Sequence, residues 1–280
     1  MISTAKHILI PTDFSACSRK AMFYAGAIAE KTGAKMTLLH VIEPPFNFPT
    51  NVEGVIDFLS ENAEQHLDRM EQEMAEKFSG KNIKVKRQLR IGKPISQIIE
   101  AIGDLKIDLL VMGSGTEGEN RKLFFGSVSA DIMLSAPIPV LAVPEHATHL
   151  SFDHFLFTTN FRIDDFKNLK ETANFAKLFG ADIHLLHIAK EKDLETEIKF
   201  RGIKDLAKEE KLLSKLNFEL LIDEDTIGTM SKFIDSNKIS LLILNRYKKS
   251  LLENLLDENH TKKMRIYSKV PVLVMIGKKK

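Results

Sequence analysis

The chain has 280 residues, 44% hydrophobic and 28% charged, enough apolar material for two ordinary cores. Its 40 basic and 38 acidic residues leave a formal net charge of +2, which argues against nucleic acid as the main partner. The single cysteine, Cys17, excludes an internal disulfide framework and a cysteine-based metal site, and it fits a reducing, cytoplasmic setting.

"HILIPT", from His7, reads as a short buried strand. Ser15 then suits the N-cap of a helix, "ACSRKAMFYAGAIAEKTG", which Gly33 closes. Its Ala21, Ala25, Ile28 and Ala29 recur at helical spacing. "KMTLLHVI" is a second strand. The loop "EPPFNFPTN" follows, where Phe46 and Phe48 fit a local core, an interface or a lid. A long polar helix runs over roughly residues 52–79. Its Glu64, His66 and Asp68 read as a solvated face. "IKVKRQLR" is a third strand, and "PISQIIEAIGDL" is a helix with Pro94 in its first turn. "IDLLVM" is a buried strand, "SVSADIMLSA" a helix and "PVLAVP" the last strand of the series. Apolar strands alternating with helices predict a parallel sheet covered on both faces.

The series then repeats. "HILIPTDFS" at His7 returns as "HFLFTTNFR" at His154, 147 residues later. The same offset carries Leu38, Leu39 and His40 onto Leu185, Leu186 and His187. Pro139 in "IPVLAVP" returns as Pro271 in "VPVLVMI", only 132 residues later, so the second copy is 15 residues shorter in its middle. This is a duplicated domain rather than a solenoid unit. The expected domains are 1–147 and 148–280. The matched His40 and His187 read as structural, and Cys17 as a packed core thiol. "MISTAKHILIP" lacks the apolar core of a signal peptide, and no apolar run approaches the roughly 18 residues of a membrane span. No membrane partner is therefore expected.

"GSGTEG", residues 113–118, fits the dinucleotide fingerprint by letter. That fingerprint belongs to the first strand-helix turn, whereas here it follows the fourth strand and runs on into "ENRK". The longer span "MGSGTEGENRKLFFGS", residues 112–127, reads differently. A strand ends at Met112-Gly113, a loop intervenes, and Gly126-Ser127 opens a helix. Uncapped N–H groups at a helix N-terminus attract anions, and glycine admits a phosphate to the backbone.

On these residues the chain resembles the universal stress protein family in its tandem two-domain form. "PTDFS", "LLHVIEPP" and the Gly126-Ser127 helix start carry the resemblance. It implies two tandem Rossmann-like domains of the adenine nucleotide alpha hydrolase-like type. Each would be a five-stranded parallel sheet of order 3-2-1-4-5 with helices on both faces, and ligands in such sheets bind where the strand order reverses. The resemblance further implies a site for ATP, with Mg²⁺ accompanying it, in the N-terminal domain. Pro11 and Asp13 would meet the adenine, Val41 would pack on the base, and Met112 and Gly113 would line the ribose side. Gly126, Ser127 and Val128 would hold phosphates. The family pattern places its middle glycine at position 116, where this chain has Thr116, with Gly115 one place earlier. Glu117 and Glu119 in the same loop would repel a phosphate, and Arg121 and Lys122 would offset that if they turn inward.

In the second copy Asp13 becomes Asn160, Pro11 becomes Thr158, Gly113 becomes Asn245, Gly126 becomes Glu258 and Ser127 becomes Asn259. That half is expected to bind no nucleotide. The expected function is a stress-response or signalling module binding an adenine nucleotide. It is not an enzyme, or at most a slow ATPase, since no base or nucleophile is placed for hydrolysis. The alternative is a non-nucleotide scaffold or small-molecule carrier of the same fold. A homodimer is left open by the sequence.

Overall fold

The computed structural model describes residues 1–44, 52–115, 126–147, 150–212, 215–247, 252 and 270–277. The chain divides into two compact units. One contains residues 4–115 and 126–145, and the other contains residues 1–3 and those from His146 onward.

In the first unit β1 (His7–Pro11) leads into α1 (Ala16–Thr32). The Ser15 side chain accepts from the Ser18 N–H at 3.1 Å, satisfying one of the donors a helix start leaves open. Gly33 ends the helix at φ 72°, a conformation that suits glycine. Ala21, Ala25, Ile28 and Ala29 form the buried face of α1. Then follow β2 (Lys35–Ile42), α2 (Val52–Lys77), β3 (Val85–Ile91) and α3 (Pro94–Asp104). The unit closes with β4 (Leu109–Gly113), α4 (Ser127–Ser135) and β5 (Val140–Val143).

Two boundaries differ from the sequence reading. The polar helix stops at Lys77 because the chain turns through residues 78–81, with Gly80 at φ 77° and the Lys81 N–H on the Phe78 carbonyl at 2.9 Å. The fourth strand begins at Leu109 rather than Ile107. Asp108 instead uses its carboxylate to accept the Lys6 and His7 N–H groups, at 2.8 and 3.1 Å.

The strands pair in parallel in the order β3-β2-β1-β4-β5. Helices cover both faces, with α1 packing on α2 and α3 on α4. The inner strands are buried throughout, through Ile8, Leu9 and Ile10 on β1 and Leu109, Leu110 and Val111 on β4. Each such side chain contributes roughly 1.5–3 kcal/mol by leaving water.

The second unit repeats this plan. Its elements are β6 (His154–Thr158), α5 (Ile163–Phe179), β7 (Asp182–Ala189), α6 (Leu194–Glu209), β8 (Leu216–Ile222), α7 (Thr226–Ser236), β9 (Leu241–Arg246) and β10 (Val272–Ile276). They pair in parallel as β8-β7-β6-β9-β10, the same order counted within the unit. Gly180 ends α5 at φ 71°, as Gly33 ends α1. The shortening falls between the second and third strands, where α6 has 16 residues and α2 has 26.

Candidate functional site

In the first unit β1 lies between β2 and β4, and the chain winds one way from β1 and the other way from β4. The carboxyl ends of these two strands therefore flank an opening that no crossover helix fills. The sequence candidates gather at that edge. Pro11 ends β1, Val41 stands near the end of β2, and Met112 and Gly113 end β4. Gly126 caps α4, and Ser127 and Val128 begin it. Thr116 lies outside the described residues, as do Phe46, Phe48, Glu117, Glu119, Arg121 and Lys122.

The turn after β1 is heavily braced. Thr12 is buried, and its hydroxyl accepts the Phe14 N–H at 3.0 Å and lies 3.0 Å from the Ser18 hydroxyl. Asp13 is exposed, and its Oδ1 accepts the Ser15 N–H at 3.1 Å and the Ser15 hydroxyl at 2.6 Å. Phe14 takes φ 67°, which is rare for an aromatic residue. Its ring stacks on His40 at 4.3 Å and on His66 at 4.8 Å. His40 Nδ1–H in turn donates to the Thr12 carbonyl at 2.8 Å. His66 thus belongs to this stack rather than to a solvated helix face. Its neighbours Glu64 and Asp68 grip Arg87 on β3. A recurrent "T-x-F" after the first strand of each copy was the available signal for Phe14.

At the other side of the opening, close packing dictates the glycines. A Cβ on Gly113 would stand 2.9 Å from the Cys17 carbonyl carbon and 2.9 Å from the Ser18 nitrogen. On Gly126 it would stand 3.0 Å from the Gly115 carbonyl oxygen. The Cys17 thiol donates to the Val143 carbonyl at 3.1 Å and accepts the Gly115 N–H at 3.2 Å. Burial pushes this thiol's pKa up, against the pull of the Gly115 and Ser114 N–H groups, as suits a packed core thiol.

Two polar features here are unspent. Ser114 is fully buried, and its hydroxyl has no hydrogen-bond partner among the described residues. Gly126 supplies α4 with no side-chain cap, and Ser127 beside it is exposed. The first turn of α4 thus keeps its positive dipole end and its N–H donors.

In the second unit the equivalent space is closed by its own side chains. Asp165 takes the place of Ser18, and Tyr247 the place of Gly115. The buried Asp165 carboxylate accepts the Thr159 hydroxyl at 2.8 Å, the Asn160 N–H at 2.9 Å, the Arg162 N–H at 3.1 Å and the Tyr247 hydroxyl. Burial and this carboxylate push the Tyr247 phenol far above its ordinary pKa. The Arg162 guanidinium covers the Tyr247 ring at 4.8 Å. Asn245, in place of Gly113, accepts from Asn168 at 2.7 Å and donates to the Thr158 carbonyl at 3.3 Å. Glu258 and Asn259 lie outside the described residues. His187 repeats the role of His40, its Nδ1–H donating to the Thr159 carbonyl at 2.6 Å beside the Phe161 ring.

Among the described residues no group of three or more His, Cys, Asp or Glu is arranged to hold a metal, and no helix is long and apolar enough to cross a membrane.

Comparison with known proteins follows the same division. The family model described as "Universal stress protein family" matches residues 4–144. The chain is 32% identical over 139 residues to a universal stress protein of Thermus aquaticus, covering 49% of this chain and 98% of that protein. It is 30% identical over 142 residues to one from Methanocaldococcus jannaschii, covering 49% of this chain and 81% of that protein. Among solved structures, a universal stress protein from Archaeoglobus fulgidus aligns over 98% of this chain and 97% of its own, with TM-score 0.75 and 22% identity. That likeness extends the fold to both units. With its first half matched by the family model and its strand order that of the expected fold, the chain belongs to the universal stress protein family.

Proposed function

We propose that the first unit binds an adenine nucleotide, ATP with its Mg²⁺, in the opening between β1 and β4, and that the second unit binds none. The observation that carries this reading is the convergence of Pro11, Asp13, Val41, Met112, Gly113 and the uncapped start of α4 on one edge of the sheet. The donors fit the ligand. The first-turn N–H groups of α4 and the Ser127 hydroxyl suit phosphate oxygens. The Ser114 hydroxyl, just past the end of β4, has no partner among the described residues. Asp13, braced by Ser15, suits the donor edge of a base or a ribose hydroxyl. A bound Mg²⁺ would offset phosphate charge. The described residues at this edge supply orientation and charge complementarity, which suits a binding module.

The second unit supports the asymmetry. Where the first unit has Ser18, Gly113 and Gly115, it has Asp165, hydrogen-bonded to Tyr247, and Asn245, hydrogen-bonded to Asn168. A nucleotide there would have to displace a buried carboxylate and would meet its negative charge. The scaffold or carrier reading draws its support from the glycines, since contacts within the chain alone account for Gly113 and Gly126.

Calorimetry with ATP, ADP and cyclic AMP decides between them. One ATP per chain is expected, and Ser127→Glu should abolish binding while the fold persists, because Ser127 is exposed. If no nucleotide binds below millimolar concentration, the carrier reading replaces this one. Unchanged ATP affinity in Ser127→Glu would move the site elsewhere.

A further inference from the structure

Phe14 stands at φ 67°, and its counterpart in the second unit, Phe161, at φ 55°. Glycine takes that conformation freely, whereas a bulky side chain is strained in it. Both copies nevertheless carry phenylalanine, and both surround it with the same contacts. The Phe14 N–H donates to the Thr12 hydroxyl and the Phe161 N–H to the Thr159 hydroxyl, each at 3.0 Å. The ring stacks on His40 at 4.3 Å in one unit and lies against His187 at 4.2 Å in the other. Those imidazoles donate to the Thr12 and Thr159 carbonyls at 2.8 and 2.6 Å. Backbone strain of this kind persists only where the surroundings over-determine it, and it collects at functional sites.

We propose that Phe14 is a positioning residue for Asp13, holding that exposed carboxylate in place for the donor edge of a base or a ribose hydroxyl; the ligand named rests on the nucleotide reading of the same site. Asp13 lies between two planar peptide groups. His40 fixes the one before it, through the Thr12 carbonyl. The Thr12 hydroxyl fixes the one after it, through the Phe14 N–H. With both planes held, the Asp13 backbone cannot turn independently, and the direction of its side chain is set. The Phe14 ring secures the arrangement by packing on the imidazole that holds the carbonyl, and His66, from α2, stacks on the same ring at 4.8 Å. Ser15 takes Asp13 Oδ1, and among the described residues Oδ2 has no partner, which leaves one acceptor for a ligand N–H or hydroxyl. A glycine at position 14 would relieve the strain but lose the ring, so the ring's value lies in what it does to its neighbours. The second unit has the same device with Asn160 where Asp13 stands, which makes it a matched control.

A double-mutant cycle on ATP affinity, measured by calorimetry on the full chain, tests this. Phe14→Gly and Asp13→Ala should each weaken binding about tenfold, and the two together should lose little more than either alone, because Phe14 acts through Asp13. Phe161→Gly should leave ATP affinity at the wild-type value. Without nucleotide, hydrogen exchange followed by NMR should show the protection of the residue 14 and Ser15 amides falling several-fold in Phe14→Gly, while the β1 amides keep theirs. Circular dichroism should match the wild type, since glycine accepts φ 67° without strain. A wild type that binds no ATP overturns the nucleotide reading, and the protection measurement then decides alone whether Phe14 positions Asp13. Single losses that multiply to about a hundredfold in the double variant would overturn the proposal. So would unchanged protection at residues 14 and 15 in Phe14→Gly, or a loss of ATP affinity in Phe161→Gly equal to that in Phe14→Gly.

Discussion

Gly113 illustrates how one residue can answer to two demands. Its φ lies outside the left-handed region, so alanine would meet no backbone strain there. What forbids a side chain is the start of α1, whose backbone comes within 2.9 Å of where a Cβ would be. That contact packs the end of β4 directly against α1. Gly113→Ala should therefore destabilise the first unit by about 1–3 kcal/mol, the usual range for overpacking a filled site, with or without nucleotide present. Urea denaturation of the nucleotide-free protein measures it. If alanine there leaves the unliganded protein as stable as wild type, packing does not explain the glycine, and a ligand contact becomes its remaining justification. Asn245 in the second unit fits this account: where a larger residue stands at the same place, it is accommodated by hydrogen bonds to Asn168 and Thr158.

Elements were legible where their signals are local. The start of α1 at Ser15, its stop at Gly33 and Pro94 at the start of α3 each depend on neighbours within a few residues. The strand order followed from the family resemblance, and the two copies share it. The candidate residues were legible as a set because a sheet of this order brings the ends of β1, β2 and β4 to one edge. Tertiary partners were not legible. Asp165 reads as an ordinary acid favoured in a helix's first turn, and nothing local announces Tyr247, 82 residues away. His66 reads as one polar residue among many on α2, because its partner Phe14 lies across the sheet edge. The end of α1 that borders the site gives a direct test of the local kind. Ser15→Ala removes the acceptor for the Ser18 N–H and a donor to Asp13, and should lower stability by ~1 kcal/mol, a typical loss for an N-cap. It should also loosen Asp13, and so weaken ATP binding more than an alanine at the remote N-cap Asp193 does. Equal effects of the two substitutions on ATP affinity would separate Asp13 from the ligand.

At the scale of the whole molecule, one buried and two half-buried histidines should make acid the condition that discriminates between the units. His7, His184 and His187 all have pKa values lowered chiefly by burial. His7 is held neutral by geometry: Nδ1–H donates to the Leu105 carbonyl at 3.0 Å, leaving Nε2 to accept the Thr37 hydroxyl at 2.8 Å. His184 has a buried Nδ1 with no partner among the described residues and packs edge-on against Phe233, with Glu219 and Asp182 only partly countering the burial. The folded state therefore binds fewer protons than the unfolded one, whose histidines titrate near 6.5. Stability should be full above about pH 6.5 and fall as pH drops from there toward the depressed folded values. Asp193 and Asp223, lowered by hydrogen bonds from Thr196 and Thr229, act in a separate window below about pH 4. Two of the three histidines lie in the second unit, so its unfolding should move further than that of the first, and two units need not unfold as one. Calorimetric scans at pH 7.5 and pH 5 should show a lower Tm at pH 5, with the loss concentrated in one of two transitions. His184→Leu, which replaces the unpartnered nitrogen with apolar surface against Phe233, should shrink that loss. A Tm unchanged between the two pH values would mean that these imidazoles do not titrate on unfolding as their burial requires.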